Sequence, residues 1–319
     1  MTLDNIKNEM LKAEKIIILT HESPDGDAIG SSMAMYLALK NLGKNPDVII
    51  PEIPRVFNFM PGINEVKRES NVDKYDLAIA LDCGDIKRLN GFSKYFEEAE
   101  KTIVIDHHSG NTMFGHYNYV DPVSPATAQI LAMMFDYYSM EITKEIGTCL
   151  ITGIITDTGG FKYSSVNSDT FDFAARLLEN GVNISSVYEN VMQKVSLSRF
   201  NLTKIAVNRL ELLENGKIAF TYVTLEDEES VGAENGDHEG IVEQGRSIEG
   251  VEISVFLRET EKGYKTSLRA NSDSKVNVAD ICMIFGGGGH IRAAGCLLPY
   301  TLEVSKEKII EEIKRNLKT

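Results

Sequence analysis

The 319-residue sequence predicts an α/β protein: an N-terminal domain with a mostly parallel sheet flanked by helices, a helical connector, and a smaller mixed α/β domain. Three observations lead there. Short uncharged runs such as IIIL and LAIAL alternate with helix-length segments through residue 181, as in a sheet covered on both faces. From residue 217 that grammar gives way to strands that alternate apolar and polar residues. The chain is also too long for one ordinary core. The boundaries read as 1–190, 191–213 and 214–319.

Residues 3–14 space their apolar positions for an amphipathic helix, and KIIILT (15–20) is the first strand. Residues 28–43 form a helix closed by Gly43. PDVIIP is the second strand, YDLAIALD (75–82) the third and KTIVID (101–106) the fourth. SPATAQILAMMFDYYSM and TKEIGTCLITGIITDTG are helices, the first opening near Ser124–Pro125. SDTFDFAARLLENG is a further helix, capped by its Ser or Asp and ended by Gly181. Residues 185–212 read as one long helical stretch, the connector. Strands at 217–225, 251–259 and 263–271, a helix at 276–285, four glycines and a helix in SKEKIIEEIKRNLK complete the chain.

Composition narrows the function. With 43% hydrophobic and 25% charged residues, and no apolar run long enough for a bilayer, the sequence is that of a globular protein without a membrane segment. The N-terminus lacks the apolar core of a secretory signal. The four cysteines form no CxxC pair, which argues for reduced thiols and a cytoplasmic location. A net charge of −14 argues against a long nucleic-acid partner. It leaves room for a small phosphorylated ligand held by a few local cations.

The unusual polar residues fall where strands or helices end. His21, Asp25 and Asp27 follow the first strand; Asp82 and Asp85 follow the third; Asp106, His107 and His108 close the fourth; Asp157 ends an apolar helix. In an open parallel sheet the carboxyl ends of the strands share one edge, where ligands bind. Asp25, Asp27, Asp82, Asp85, Asp106 and Asp157 would then crowd into one crevice with two or three imidazoles. Uncompensated, such a crowd raises carboxyl pKa values and opposes folding. Two divalent ions remove the conflict, and mixed imidazole and carboxylate ligands suit Mn²⁺, with Mg²⁺, Co²⁺ or Fe²⁺ as substitutes. A pair of such ions supports in-line attack of water at phosphorus. Each motif alone has a plainer reading: SPDGD is good turn chemistry, and Asp27 is placed to cap the following helix. Convergence of four clusters is what favours the metal reading.

The stretches HESPDGDAIGSS, LDCGD, IDHH and ITDTGGFKY resemble the four motifs of the DHH phosphoesterase family, and SLRANSDSKVNVADICMIFGGGGHIRAAG resembles its DHHA1 domain. Length and domain order are similar to the stand-alone nanoRNase (oligoribonuclease) and pAp-phosphatase branch. The resemblance implies that His21 and Asp25 bind one metal and Asp27 and His107 the other. It further implies that Asp82 bridges them, that Asp157 completes the first site, that His108 contacts the scissile phosphate or the bridging water, and that Asp106 orients a histidine. Arg88 reads equally as a phosphate contact and as a surface arginine.

In the second domain, Gly287, Gly288, Gly289 and His290 read either as an anion-binding loop or as a flexible turn. Arg269, on a strand, favours the first reading, because arginine holds phosphate bidentately. Arg246 and Arg258 are weaker candidates. Phe161 reads as core, Cys83 as packing, and His116 and His238 as surface or loop residues. The expected activity is hydrolysis of very short oligoribonucleotides and dephosphorylation of adenosine 3′,5′-bisphosphate (pAp) in a cleft between the domains. The alternatives are a soluble phosphodiesterase for cyclic dinucleotides or pApA and, in a different class, a nucleotide-binding regulator without turnover. A monomer and a homodimer are both compatible with the acidic composition.

Overall fold

A computed structural model describes residues 2–317, so the predicted reach of the terminal helix to Lys318 lies outside the described residues. The chain divides into two compact units, residues 1–194 and 195–319.

The first unit runs α1 (Thr2–Lys12), β1 (Ile16–Leu19), α2 (Gly26–Asn41), β2 (Asp47–Ile49), β3 (Leu77–Leu81), α3 (Ser93–Glu97), β4 (Lys101–Asp106), β5 (Tyr117–Val120), α4 (Thr127–Tyr137), α5 (Lys144–Asp157), α6 (Ser168–Glu179) and α7 (Ile184–Tyr188). Its five strands are all parallel, in the order β2-β1-β3-β4-β5. Successive residues of each strand face opposite layers. Ile16, Ile18, Ile79 and Ile103 pack with α1, α2, α4 and α5, whereas Ile17, Leu19, Ala80 and Val104 pack with Leu89 and Phe96 on the other face. Each fully buried isoleucine, leucine or valine among them contributes about 1.5–3 kcal/mol. The chain leaves β1 for β2 on one side and reaches β3 on the other, so the order reverses between β1 and β3. That reversal opens a crevice at their carboxyl ends, and His21 and Asp82 follow those ends.

Several local features differ from the sequence reading, the short helix α3 among them. The strand β5 was not expected, because YNYV is short and only half-buried. The helix α6 is capped by Asn167, in a capping box with Thr170, rather than by a Ser or Asp. The long helical stretch over 185–212 is broken: α7 widens into a π-helical turn over Glu189–Gln193, Lys194 is extended, and a new helix begins beyond it. Ser196 forces the break. Its hydroxyl accepts from Arg199 N at 3.0 Å and donates to Asp237 at 2.7 Å.

The second unit runs α8 (Leu197–Asn208), β6 (Glu211–Leu213), β7 (Ile218–Val223), α9 (Leu225–Val231), α10 (Ile241–Arg246), β8 (Ile253–Thr260), β9 (Gly263–Ala270), α11 (Val278–Ile284), β10 (Gly288–His290), β11 (Ala293–Leu298) and α12 (Leu302–Leu317). The six-stranded sheet has the order β10-β11-β9-β8-β7-β6, with only β7 and β8 parallel. One face buries Val255, Leu257 and Leu268 with Ile281 of α11 and Ile309 and Ile313 of α12. The other packs Phe256 and Val223 with Leu202 of α8 and Ile241 of α10. Most of the expected connector is thus α8, a helix of this unit's own core. No helix among the described residues is long and apolar enough to cross a membrane.

Candidate metal centre

The carboxyl edge of the first sheet gathers its polar residues into three overlapping groups. These are His21, Asp25 and Asp82; Asp27, His107 and Asp157; and Asp82, His107 and His108. Within each, one ligand-capable atom per residue lies within 4.8 Å of the others. His107 Nε2 is 3.2 Å from Asp157 Oδ2, 3.5 Å from Asp82 Oδ1 and 4.0 Å from Asp27 Oδ2, and His21 Nε2 is 3.8 Å from Asp82 Oδ2. Most of these separations are too long for hydrogen bonds. They resemble the edges of a coordination shell, where ligands at right angles around a small divalent ion stand about 3 Å apart.

Local structure explains each placement. Asp25 is the N-cap of α2, accepting from the N–H groups of Asp27 and Ala28 at 3.0 and 3.1 Å. Asp27 therefore does not cap its own helix. It is wholly buried and accepts instead from the first amides of α4, Thr127 N at 2.6 Å and Ala128 N at 2.9 Å. No side chain of α4's own N-terminus does this work. Ser31 adds a third donor to Asp27 at 3.1 Å. Gly153 on α5 makes room, since a Cβ there would come 2.5 Å from Asp27 Oδ1. Asp82 leaves β3 at φ +53, a left-handed conformation rare outside glycine.

The imidazoles are oriented from behind. His107 Nδ1 donates to the Ser124 carbonyl at 3.3 Å, turning Nε2 toward the carboxylates. His108 Nδ1 is 2.7 Å from Asp106 Oδ1, and Asn111 donates to Asp106 Oδ2 at 2.6 Å. Burial opposes the charge on Asp106, but these two donors outweigh it and hold its carboxyl below the usual range. Elsewhere repulsion dominates. Burial, then the Asp157 charge, pushes Asp27 up to about 8. Burial and the charges of Asp27, Asp25 and Asp157 push Asp82 well above the ordinary carboxylate value. Burial opposes protonation of His107, yet Asp157, Asp27 and Asp82 together raise it to about 10. Burial and the nearby Arg88 cation lower His21, whose buried Nδ1 has no hydrogen-bond partner. Carboxylates and imidazole nitrogens crowded at these separations, with burial and like charge opposing their ordinary ionisation, make an all-nitrogen-and-oxygen donor set that fits a divalent cation.

The structure brings His21, Asp25, Asp27, Asp82, His107, His108 and Asp157 together, with Asp106 behind. One expected pairing changes. The resemblance gave Asp157 to the site of His21 and Asp25, whereas its carboxylate groups with Asp27 and His107. Asp85 is spent capping the turn that follows it, through Lys87 N at 2.8 Å. Arg88 is exposed, close enough to act on His21. Cys83 is a buried packing residue whose thiol burial pushes up to about 12, and Phe161 packs on the core and stacks with Phe171. Sequence reasoning missed Thr127, Asn111 and Ser124, all ordinary polar residues near turns.

In the second unit, Arg269 pairs with Glu243 at 3.1 Å. With His238, Arg258, Lys265 and Ser267 it lines a cavity of about 260 Å³ floored by Phe256. His238 is thus more than a loop residue: burial and the Arg258 and Lys265 cations lower its pKa. Arg258 pairs with Glu228, and Arg246 lines a separate cavity of about 540 Å³. The N–H groups of Gly286 and Gly287 close α11 on Met283 and Cys282, and a Cβ at Gly287 would strike Gly295 O at 2.2 Å. Gly288, Gly289 and His290 form the exposed edge strand β10.

A family model described as the DHH family, N-terminal domain, matches residues 15–154, and one described as the DHHA1 domain matches 215–319. The chain is 35% identical to the bifunctional oligoribonuclease and PAP phosphatase NrnA of Thermus thermophilus, over 97% of this chain and 93% of that one. It is 25% identical to the cyclic-di-AMP phosphodiesterase PdeA of Listeria monocytogenes, over 95% of this chain and 48% of that protein. Among solved structures, an exopolyphosphatase-related protein from Bacteroides fragilis superposes with a TM-score of 0.88 at 29% identity, covering 98% of this chain and 96% of that one.

Proposed function

This chain belongs to the DHH family, and from that premise we propose that it is a metal-dependent phosphohydrolase that degrades very short oligoribonucleotides and removes the 3′-phosphate of pAp. The observation that carries the reading is the pair of imidazole-and-carboxylate groups, His21–Asp25–Asp82 and Asp27–His107–Asp157, linked where Asp82 Oδ1 stands 3.5 Å from His107 Nε2. The activity named for the Thermus relative, similar along nearly its whole length, supplies the substrate class.

His21, Asp25 and Asp82 would hold one divalent ion and Asp27, His107 and Asp157 a second, with Mn²⁺ the assigned metal. Bound there, such ions supply positive charge for the phosphoryl oxygens and make water acidic enough to attack phosphorus. The chain's own residues do the rest. Asp82 presents one oxygen toward His107 and the other toward His21, and so serves both groups. Asp106 fixes the His108 ring through Nδ1, leaving Nε2 for a phosphate oxygen. Arg88, Arg269, the Gly287–Gly289 backbone and His290 are assigned as ligand-contacting residues. Four cysteines that remain free thiols agree with the cytoplasm as the working compartment. The ligands are short, phosphorylated nucleotides rather than long nucleic acid.

A second reading has support from the Listeria relative: a phosphodiesterase for cyclic dinucleotides or pApA. One rate comparison decides. Protein loaded with Mn²⁺ is given an RNA dinucleotide, pAp, pApA and a cyclic dinucleotide. Turnover of the first two at the highest kcat/KM supports the proposal. A preference for the cyclic or linear diadenylate favours the second reading, and no turnover of any substrate ends both. Arg269→Ala is expected to raise KM about tenfold with kcat within about twofold.

A further inference from the structure

Asp82 serves both groups only if its carboxylate is turned one way. Its Oδ1 lies 3.5 Å from His107 Nε2 and 3.7 Å from His108 Nδ1, while Oδ2 lies 3.8 Å from His21 Nε2. The left-handed backbone and the bond from Asp82 N to Ile105 O at 3.1 Å fix where the side chain starts. Neither fixes the final torsion, which is broad for a carboxylate. A donor does. Thr127 Oγ1 donates to Asp82 Oδ1 at 3.0 Å, and no other side-chain donor to this carboxylate is closer than 3.5 Å among the described residues.

Thr127 is fully buried in the first turn of α4. Thr127 opens α4, so its hydroxyl has no preceding helical turn to return to, as that of Thr152 returns to Thr148 in α5. Thr127 instead aims across 45 residues at Asp82, and its own N–H binds Asp27 Oδ2 at 2.6 Å. One residue thus touches a carboxylate from each of the two groups, through two different atoms.

We propose that Thr127 is a positioning residue: its hydroxyl sets the rotation of the Asp82 carboxylate and thereby couples the two ion positions. The inference rests on the two-ion reading above. It assigns the backbone N–H to orienting Asp27 and the hydroxyl to orienting Asp82, so the two effects separate by mutation. Thr127→Val keeps the shape and the N–H but removes the hydroxyl. Thr127→Ser keeps both donors and removes a methyl group.

The test uses full-length protein stripped of metal and titrated with Mn²⁺ by calorimetry, with melting measured before and after loading. In Thr127→Val the weaker of two binding events is expected to lose about tenfold in affinity. Its kcat falls by a similar factor, with KM for an RNA dinucleotide within about twofold. Metal-free melting stays within about 2 °C of wild type, while the rise on adding Mn²⁺ shrinks. Thr127→Ser restores the affinity. Equal Mn²⁺ affinity in Thr127→Val and wild type would overturn the proposal, as would a Ser variant that fails like the Val variant. So would a melting loss of the same size with and without metal, which marks a packing role. A wild type that binds no Mn²⁺ would overturn the two-ion reading itself, and this inference with it.

Discussion

Asp106 Oδ1 stands 2.7 Å from His108 Nδ1 at the carboxyl end of β4, and the other oxygen of Asp106 is held by Asn111. The aspartate is fully buried while its histidine reaches the crevice. It therefore acts through that ring rather than on a ligand. Asp106→Asn keeps the volume and loses the negative charge behind the imidazole. The expected result is a 10–100-fold or so fall in kcat, with Mn²⁺ affinity changed by no more than about threefold. Single-turnover kinetics and calorimetry check it, and an unchanged kcat would remove Asp106 from the machinery.

Asp82 sets function against stability. In the metal-free protein, burial and three neighbouring carboxylates hold its pKa far above normal, so ionising it costs folding free energy. Asp82→Asn relieves that cost and tolerates the left-handed backbone. Metal-free Asp82→Asn is expected to melt about 2–4 °C higher than metal-free wild type. The same variant should lose activity, because the oxygen shared between the groups becomes an amide nitrogen or a neutral carbonyl. Calorimetric melting of the first unit, paired with an activity assay, tests both halves.

Metal binding should depend on pH through Asp27 and His107. With Asp27 raised to about 8 and His107 to about 10, both carry protons near neutrality without metal. A cation must displace them, so Mn²⁺ affinity rises as pH climbs from 6 toward 8, and protons are released. Stability of the metal-free fold runs the other way. A carboxyl whose folded pKa exceeds its unfolded value stabilises the fold at low pH, and this contribution is lost between the ordinary value near 4 and about 8. Calorimetry in buffers of different ionisation enthalpy counts the protons. Binding that is independent of pH over this range would contradict the prediction.

Gly153 sets the spacing between α5 and Asp27. A Cβ there would meet Asp27 Oδ1 at 2.5 Å and the Ala128 side chain at 2.7 Å. Neither neighbour is the free end of a flexible chain, because α4 holds the carboxylate from the other side. Gly153→Ala is expected to weaken Mn²⁺ binding at least about tenfold, despite alanine's better helix propensity of about 1 kcal/mol. Wild-type affinity in this variant would show that Asp27 can shift without cost.

The sheet of the first unit was legible because β1, β3 and β4 are apolar on both faces, a pattern no exposed segment keeps. The site was legible for the same reason. Each chemical residue stands next to one of those runs or at the end of an apolar helix, so topology could gather them before any distance was known. What escaped is what depends on long-range partners. Thr127 looks like any threonine opening a helix, and its meaning lies in carboxylates 45 and 100 residues away. Ser196 splits the connector through Asp237, 41 residues on. The grouping of Asp157 with Asp27 and His107 was hidden because sequence order says nothing about which neighbour a helix terminus faces. The strand β5 was missed because its half-buried tyrosines lack the strong apolar signature of the others.

Asp27 closes a helix made a hundred residues after it. During synthesis from the N-terminus, this carboxylate has left the ribosome well before α4 does. The later helix, which carries no local cap, meets a partner already waiting for its first amides. Vectorial translation thus delivers the keystone before the arch.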